Sequence, residues 1–247
     1  MIPKIIHQTT SDPAKLDLRI ADNIEFLKSN NPGWEHRLYS DEDLRKYLKA
    51  NLSAAGFQAV QKLNHKYSVV LADLFRYVVL YVEGGVYLDI KSTARKPLDS
   101  VISDDDAYIL SQWSNKAGEQ YQGAGLHPEL VRVPGGEFQQ WHIVSAPRHP
   151  FLKYVIQNTI FNCANYHPNW FGVGKMGVLR LSGPICYTLT IAPLRFRHKH
   201  RIATAEQLGF EYSIYPKQGN AEYHSMRPDH YSRQIEPIFP YSKIDPG

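Results

Sequence analysis

The stretch SVVLADLFRYVVLYVEGGVYLDIKS, Ser68 to Ser92, decides how the rest of the chain is read. From Val69 to Val82 it is apolar almost all round, which predicts a buried helix rather than a surface one. Asp73 and Arg76 stand three apart inside it and share one face. Gly84 and Gly85 follow where a helix end takes a left-handed residue. Val86-Tyr87-Leu88-Asp89-Ile90 then has the β-branched and aromatic character of a central strand. Alternation would carry Tyr87, Asp89 and Lys91 to one face and Val86, Leu88 and Ile90 to the other. A carboxylate at the exit of such a strand lies where open α/β sheets bind their ligands. An acid and a guanidinium inside an apolar helix are each costly, on the order of several kcal/mol, unless paired or used. They are therefore either a core ion pair or part of a site.

Working outward, Pro3 to Gln8 predicts an opening strand that runs into His7-Gln8-Thr9-Thr10. Asp17 to Ser29 predicts a helix, Asn30-Asn31-Pro32-Gly33 a turn, and Trp34 to Tyr39 a second strand. Ser40 caps the next helix, whose first turn carries Asp41-Glu42-Asp43 at its positive end. Strand, helix, strand, helix, strand is the rhythm of a parallel sheet. Leu52 to Lys66 predicts a short helix. Beyond Lys91 the pattern predicts strands at Ala107–Gln112, Gln140–Ala146 and Gly209–Pro216. Helices are expected at Leu152–Ala164 and Ile185–Ala192. Ser182 could cap the latter, with Gly183 allowing close backbone approach and Pro184 opening it. The glycine-rich segment Ser114 to Gly136 has the composition of a long functional loop. Asp104-Asp105-Asp106 reads as a solvated turn, with Asp106 a candidate metal ligand.

Composition narrows the function. A chain of 247 residues is large enough for one substantial core, and the whole reads as a single domain, 1–247. Its formal net charge of +4 gives no ground for a nucleic-acid role. Two cysteines, Cys163 and Cys186, lack the spacing of a zinc site or a disulfide scaffold. No apolar run approaches the roughly 20 residues needed to span a bilayer, and MIPKIIHQTT lacks a signal-peptide core; the expected location is cytoplasmic. The run Arg195-Phe196-Arg197-His198-Lys199-His200-Arg201 is the densest positive segment. It is either a solvated loop or a peripheral contact to acidic headgroups at the inner membrane face. Oligomeric state is not legible.

Asp73-x-x-Arg76-Tyr77 followed by Gly84-Gly85-Val86-Tyr87-Leu88-Asp89 resembles the sugar-binding region of the DXD glycosyltransferases of family 32. The opening Ile2-Pro3-Lys4-Ile5-Ile6-His7-Gln8, the Asn31-Pro32-Gly33-Trp34 turn and Leu181-Ser182-Gly183-Pro184 resemble it too. The resemblance implies an α/β fold of the GT-A nucleotide-sugar-binding type, with a mixed, mostly parallel central sheet flanked by helices. It implies acceptor-side insertions at 92–180 and a C-terminal arm, 217–247, over the site. Asp73 and Arg76 would hold the donor sugar, alongside Gly84, Gly85, Tyr87 and Asp89. His7, Gln8 and Thr9 would lie on the base side, and Ser182 and Gly183 beside the donor. His230 and Ser232 would close over the diphosphate, and Trp141 and His142 would face the acceptor.

The resemblance also implies Mn2+ or Mg2+, held by Asp89 with a second acid. Lys91 stands where that acid is expected, so the motif is a DXK variant. Asp89, His230, His224 and Asp106 remain as candidate ligands. An ammonium at Lys91 would repel a metal and could itself meet the diphosphate as a point charge. The activity implied is transfer of a hexose from a UDP- or GDP-sugar to a glycan or glycolipid acceptor. Configuration would be retained, and the setting would be surface or capsular polysaccharide synthesis. A catalytically degenerate sugar-binding module is the alternative. A glycoside hydrolase needs two carboxylates across a cleft, and no such pair is legible.

Overall fold

The computed structural model describes residues 1–215 and 231–241. The chain opens with strand β1 (Ile5–Thr9), helix α1 (Leu18–Asn30) and strand β2 (Glu35–Tyr39). Helices α2 (Asp41–Asn51), α3 (Ala54–Gln61) and α4 (Val69–Val82) follow, then β3 (Gly85–Leu88) and β4 (Thr93–Ala94). The second half supplies β5 (Tyr108–Leu110), β6 (His142–Ser145) and the helices α5 (Pro150–Ala164), α6 (Pro168–Phe171), α7 (Gly174–Leu181) and α8 (Pro184–Ile191). It closes with β7 (Arg201–Ile202) and β8 (Phe210–Glu211). Among the described residues the main sheet runs β2-β1-β3-β6-β5-β7, and β4 pairs separately with β8. The β1–β2, β1–β3 and β5–β7 pairings are parallel, while β6 runs antiparallel to both neighbours.

Helix α4 is the axis of the molecule. Ten of its fourteen residues are buried, because it is sandwiched between the sheet and helices α2 and α5. Alternation along β3 divides two cores. Tyr87 joins Leu74, Val78 and Phe151 on the α4 side. Val86 and Leu88 join Ile6, Leu27 and Trp34 on the α1 side. The reversal from α4 into β3 depends on glycine. Gly84 has φ +73°, and a Cβ there would come within 2.7 Å of Pro147. At Gly85, φ +106°, it would meet the Ile5 carbonyl at 2.5 Å. Ser40 caps α2 in a reciprocal box with Asp43, as its sequence predicts.

Three expectations change. The strand ends at Leu88, not Ile90. The Ser92 amide donates to the Asp89 carbonyl at 2.8 Å, so Asp89 to Ser92 form a turn. Strand alternation therefore does not relate Asp89 to Lys91. The strands expected within 92–180 lie in the main sheet as β5 and β6, and β6 pairs with β3. The last strand shortens to Phe210–Glu211, held by β4. Gly183, not Ser182, is the cap of α8, and no side chain caps that helix. No helix among the described residues is long and apolar enough to cross a membrane.

Candidate active site

The parallel strands β1 and β3 both end beside Asp89, toward which α4 presents Asp73 and Arg76. Arg76 bridges two carboxylates: its Nη2 lies 3.3 Å from Asp73 Oδ1 and its Nη1 3.2 Å from Asp89 Oδ1. The guanidinium also lies over the Tyr87 ring, 4.7 Å from its centroid, and donates to the Gln140 carbonyl at 2.8 Å. Asp73 and Arg76 are buried at 2% and 6% exposure, whereas the Asp89 side chain is 27% exposed. Asp89 is therefore the edge of the triad that a ligand can reach.

The far side of Asp73 is fully engaged. Ser182 Oγ donates to its Oδ2 at 2.8 Å and Gln140 Nε2 to its Oδ1 at 3.3 Å. The Tyr77 hydroxyl lies between the Ser182 carbonyl and Gln140 Oε1. Burial pushes the Asp73 carboxyl up to about 6, against the pull of Arg76 and the bond from Ser182. A carboxylate that keeps this much desolvation despite an adjacent guanidinium is a site feature more than a stabilising one.

The remaining candidates divide sharply. His7 is fully buried. Its Nε2–H donates to the Gly84 carbonyl at 3.0 Å, so Nδ1 accepts from the Tyr39 hydroxyl at 3.1 Å. Burial lowers its pKa to about 4. His7 thus locks β1 to the α4–β3 turn instead of facing a base. Gln8 is buried too, donating to the Asp89 carbonyl at 3.2 Å and meeting His36 Nε2 at 2.9 Å. Thr9 is half-buried, 3.0 Å from the Tyr87 hydroxyl. Both residues hold the site's frame. Gly84 and Gly85 serve the turn, and Gly183 lets α8 begin against α7, where a Cβ would meet Leu179 at 2.8 Å.

Trp141 and His142 are buried at 4% and 2% exposure and face no open cleft. The side chain of this segment that reaches the triad is one residue earlier, Gln140, which meets Asp73. The adjoining pair Gln139-Gln140 was the signal that could have marked it. Tyr231 is a second missed residue. Burial raises its phenol, and the charges of Asp73, Tyr212 and Asp89 raise it further. Ser232, its neighbour, is exposed. His224 and His230 lie outside the described residues. Asp106 is not a ligand: Arg201 donates to both of its oxygens, at 2.8 and 2.7 Å. Lys199 pairs with Asp105, so two charges of the basic run at Arg195–Arg201 are satisfied within the fold.

Lys91 is 7% exposed, and its ammonium lies 4.1 Å from the centroid of the Tyr212 ring. Tyr212 accepts a bond from Ser92 Oγ at its carbonyl. Among the described residues, the groups around Asp89 do not make up a metal site by themselves. Asp89 Oδ1 already faces Arg76, an ammonium stands two residues on, and no group of three His, Cys, Asp or Glu among the described residues could hold an ion.

Residues 17–108 match the family described as glycosyltransferase sugar-binding region containing DXD motif. Two Schizosaccharomyces pombe proteins are similar in sequence. The initiation-specific alpha-1,6-mannosyltransferase is 29% identical over 169 residues, 63% of this chain and 39% of the relative. Inositol phosphoceramide mannosyltransferase 1 is 28% identical over 160 residues, 64% and 42%. The chain thus spans about four-tenths of the length of the curated relatives it matches. In structure it resembles the PaToxG glycosyltransferase, with a TM-score of 0.51, 14% identity and coverage of 98% of this chain and 82% of that one. The mixed, mostly parallel sheet flanked by helices is the GT-A-like fold.

Proposed function

We propose, from the premise that this chain belongs with the DXD-containing glycosyltransferases by the sugar-binding region it carries, that it transfers a hexose from a UDP- or GDP-sugar to a glycan or glycolipid acceptor. The mannosyltransferase names of its relatives favour mannose. The observation that carries the reading is the Asp73–Arg76–Asp89 triad, buried at one end and open at the other, where β1 and β3 end. Asp73 and Arg76 orient the sugar hydroxyls, and Asp89 meets the sugar or ribose. The acceptor hydroxyl oxygen bonds to the anomeric carbon as the bond from that carbon to the diphosphate breaks. The diphosphate leaves with the electron pair and takes the acceptor's proton. Attack on the face the leaving group vacates retains configuration.

Lys91 supplies positive charge to that leaving diphosphate in place of a metal held by a second acid. Support comes from the missing donor set at Asp89 and from the Tyr212 ring, which holds the ammonium by a cation–π contact. Calorimetric titration with UDP- and GDP-hexoses, each in EDTA and in Mn2+, tests both parts. One donor should bind in EDTA, and Lys91→Ala should weaken it by roughly tenfold or more, the worth of one charge-assisted contact. Binding that requires Mn2+ and ignores Lys91→Ala would remove the lysine from the mechanism. Failure of every donor to bind would leave a degenerate sugar-binding module.

A further inference from the structure

A cavity of about 490 Å³ opens along β8, lined by none of the triad residues. Its size is that of ordinary small-molecule sites, about 300–1,000 Å³. Tyr121, Phe210 and Tyr212 form its aromatic wall. This wall is braced from behind. Trp113 packs on Tyr121 at 4.7 Å and edge-on to Tyr212 at 5.3 Å, and its indole N–H donates to Glu137 at 2.6 Å. Trp141 supports Tyr212 from a further side at 5.5 Å.

The charges around the cavity balance and are engaged. Arg95 pairs with Glu211 at 2.9 Å, Lys96 donates to the Gln207 carbonyl at 3.1 Å, and Ser114 donates to Glu206 at 3.2 Å. Two bases and two acids leave no net charge for an anion to seek. A flat aromatic wall with carboxylates and a guanidinium at its rim suits a neutral, hydroxyl-rich ring, one face of which is C–H. The cavity also reaches the chemistry. The Tyr212 ring in its wall carries the Lys91 ammonium.

We infer that this cavity is the acceptor subsite, taking the neutral terminal sugar of a glycan with its ring stacked on Tyr121. The inference rests on the transferase reading above. It moves the acceptor from buried Trp141 and His142 to the tyrosines packed in front of them.

Saturation-transfer NMR with the methyl glycosides of mannose, glucose and galactose tests it, with and without saturating donor. At least one glycoside should receive saturation on its ring protons. Tyr121→Ala should weaken that glycoside by tenfold or more, Tyr121→Phe should preserve it, and both variants should give the wild-type donor titration. Equal binding to wild type and Tyr121→Ala overturns the proposal, as does silence from every glycoside in both conditions. Donor binding without any glycoside signal defeats the subsite alone. Glycoside binding that Tyr121→Ala abolishes, without binding of any donor, upholds a sugar site on Tyr121 but defeats the transferase reading and with it the acceptor role.

Discussion

Two aspartate–arginine systems flank this sheet, one on α4 against its centre and one at its β7 edge, and their environments are opposite. At the edge, Arg201 grips both oxygens of Asp106 in parallel, and the Ser103 amide adds a third bond at 2.9 Å. Burial works against that carboxylate, but these bonds outweigh it and hold its pKa below the usual range. At the centre, Arg76 is divided between Asp73 and Asp89 at longer distances. There burial wins, and the Asp73 carboxyl is raised to about 6. The same residue types thus make a staple in one place and a strained, ligand-facing system in the other. Depth of burial and geometry decide together: Arg201 is 40% exposed and grips both oxygens, whereas Arg76 is buried with Asp73 and shared with Asp89.

The comparison can be broken first at the two arginines. Arg76→Ala should abolish donor binding and cost about 3–5 kcal/mol of stability, because it leaves Asp73 buried without its cation. Arg201→Ala should cost about 1 kcal/mol, its pair being partly solvated, and leave donor binding intact. Urea unfolding beside donor titration reads both, and similar behaviour of the two variants would erase the distinction.

The two aspartates should cross over. Asp73→Asn should lower transfer roughly a hundredfold, the scale of losing one positioned polar group at a reacting centre. Its stability should suffer less than in Asp106→Asn, because Arg76 keeps Asp89. Asp106→Asn should cost about 1 kcal/mol through weakened charge-assisted bonds in the same partly solvated pair and leave transfer unchanged.

Acid should separate them in sign. The folded pKa of Asp73 lies above its unfolded value of 3.8. Its contribution to stability is therefore fully present below pH 3.8 and lost as pH rises through about 6. That of Asp106, whose folded pKa is depressed, is present above the unfolded value and lost as pH falls through the folded one. Asp73→Asn should remove stabilisation that appears on acidification, and Asp106→Asn should remove loss. Donor affinity should fall below pH 6 in the wild type as Asp73 takes its proton. A flat affinity profile from pH 7 to 5 would mean that the charge on Asp73 is not used. The smallest effect is expected at Tyr231→Phe, a few-fold loss of turnover with stability unchanged.

Much of the triad was legible because its signals are local. An Asp and an Arg three apart in an otherwise apolar helix stand out by cost alone, and two glycines announce the reversal that brings Asp89 beneath them. What was misread involved partners far along the chain. His7 looked like a strand-end residue open to ligand, until Gly84 and Tyr39 took both ring nitrogens. Ser182 looked like a cap, but its hydroxyl points across to Asp73. Ile90 favoured a longer strand, yet the chain turns there, and the Asn23 amide from α1 holds the Ser92 carbonyl at 2.9 Å.

By itself, the sequence determined the helix–glycine–strand unit, the βαβ opening and the identity of Asp73, Arg76 and Asp89, because periodicity, turn chemistry and the cost of buried charge all act within a few residues. Only the tertiary structure decided that Gln140 closes the triad, that Tyr212 seats Lys91 and that Tyr121 faces a cavity. Each of these depends on which distant segments the antiparallel β6 and the β4–β8 pair bring together, and long-range packing leaves no short-range mark in the chain.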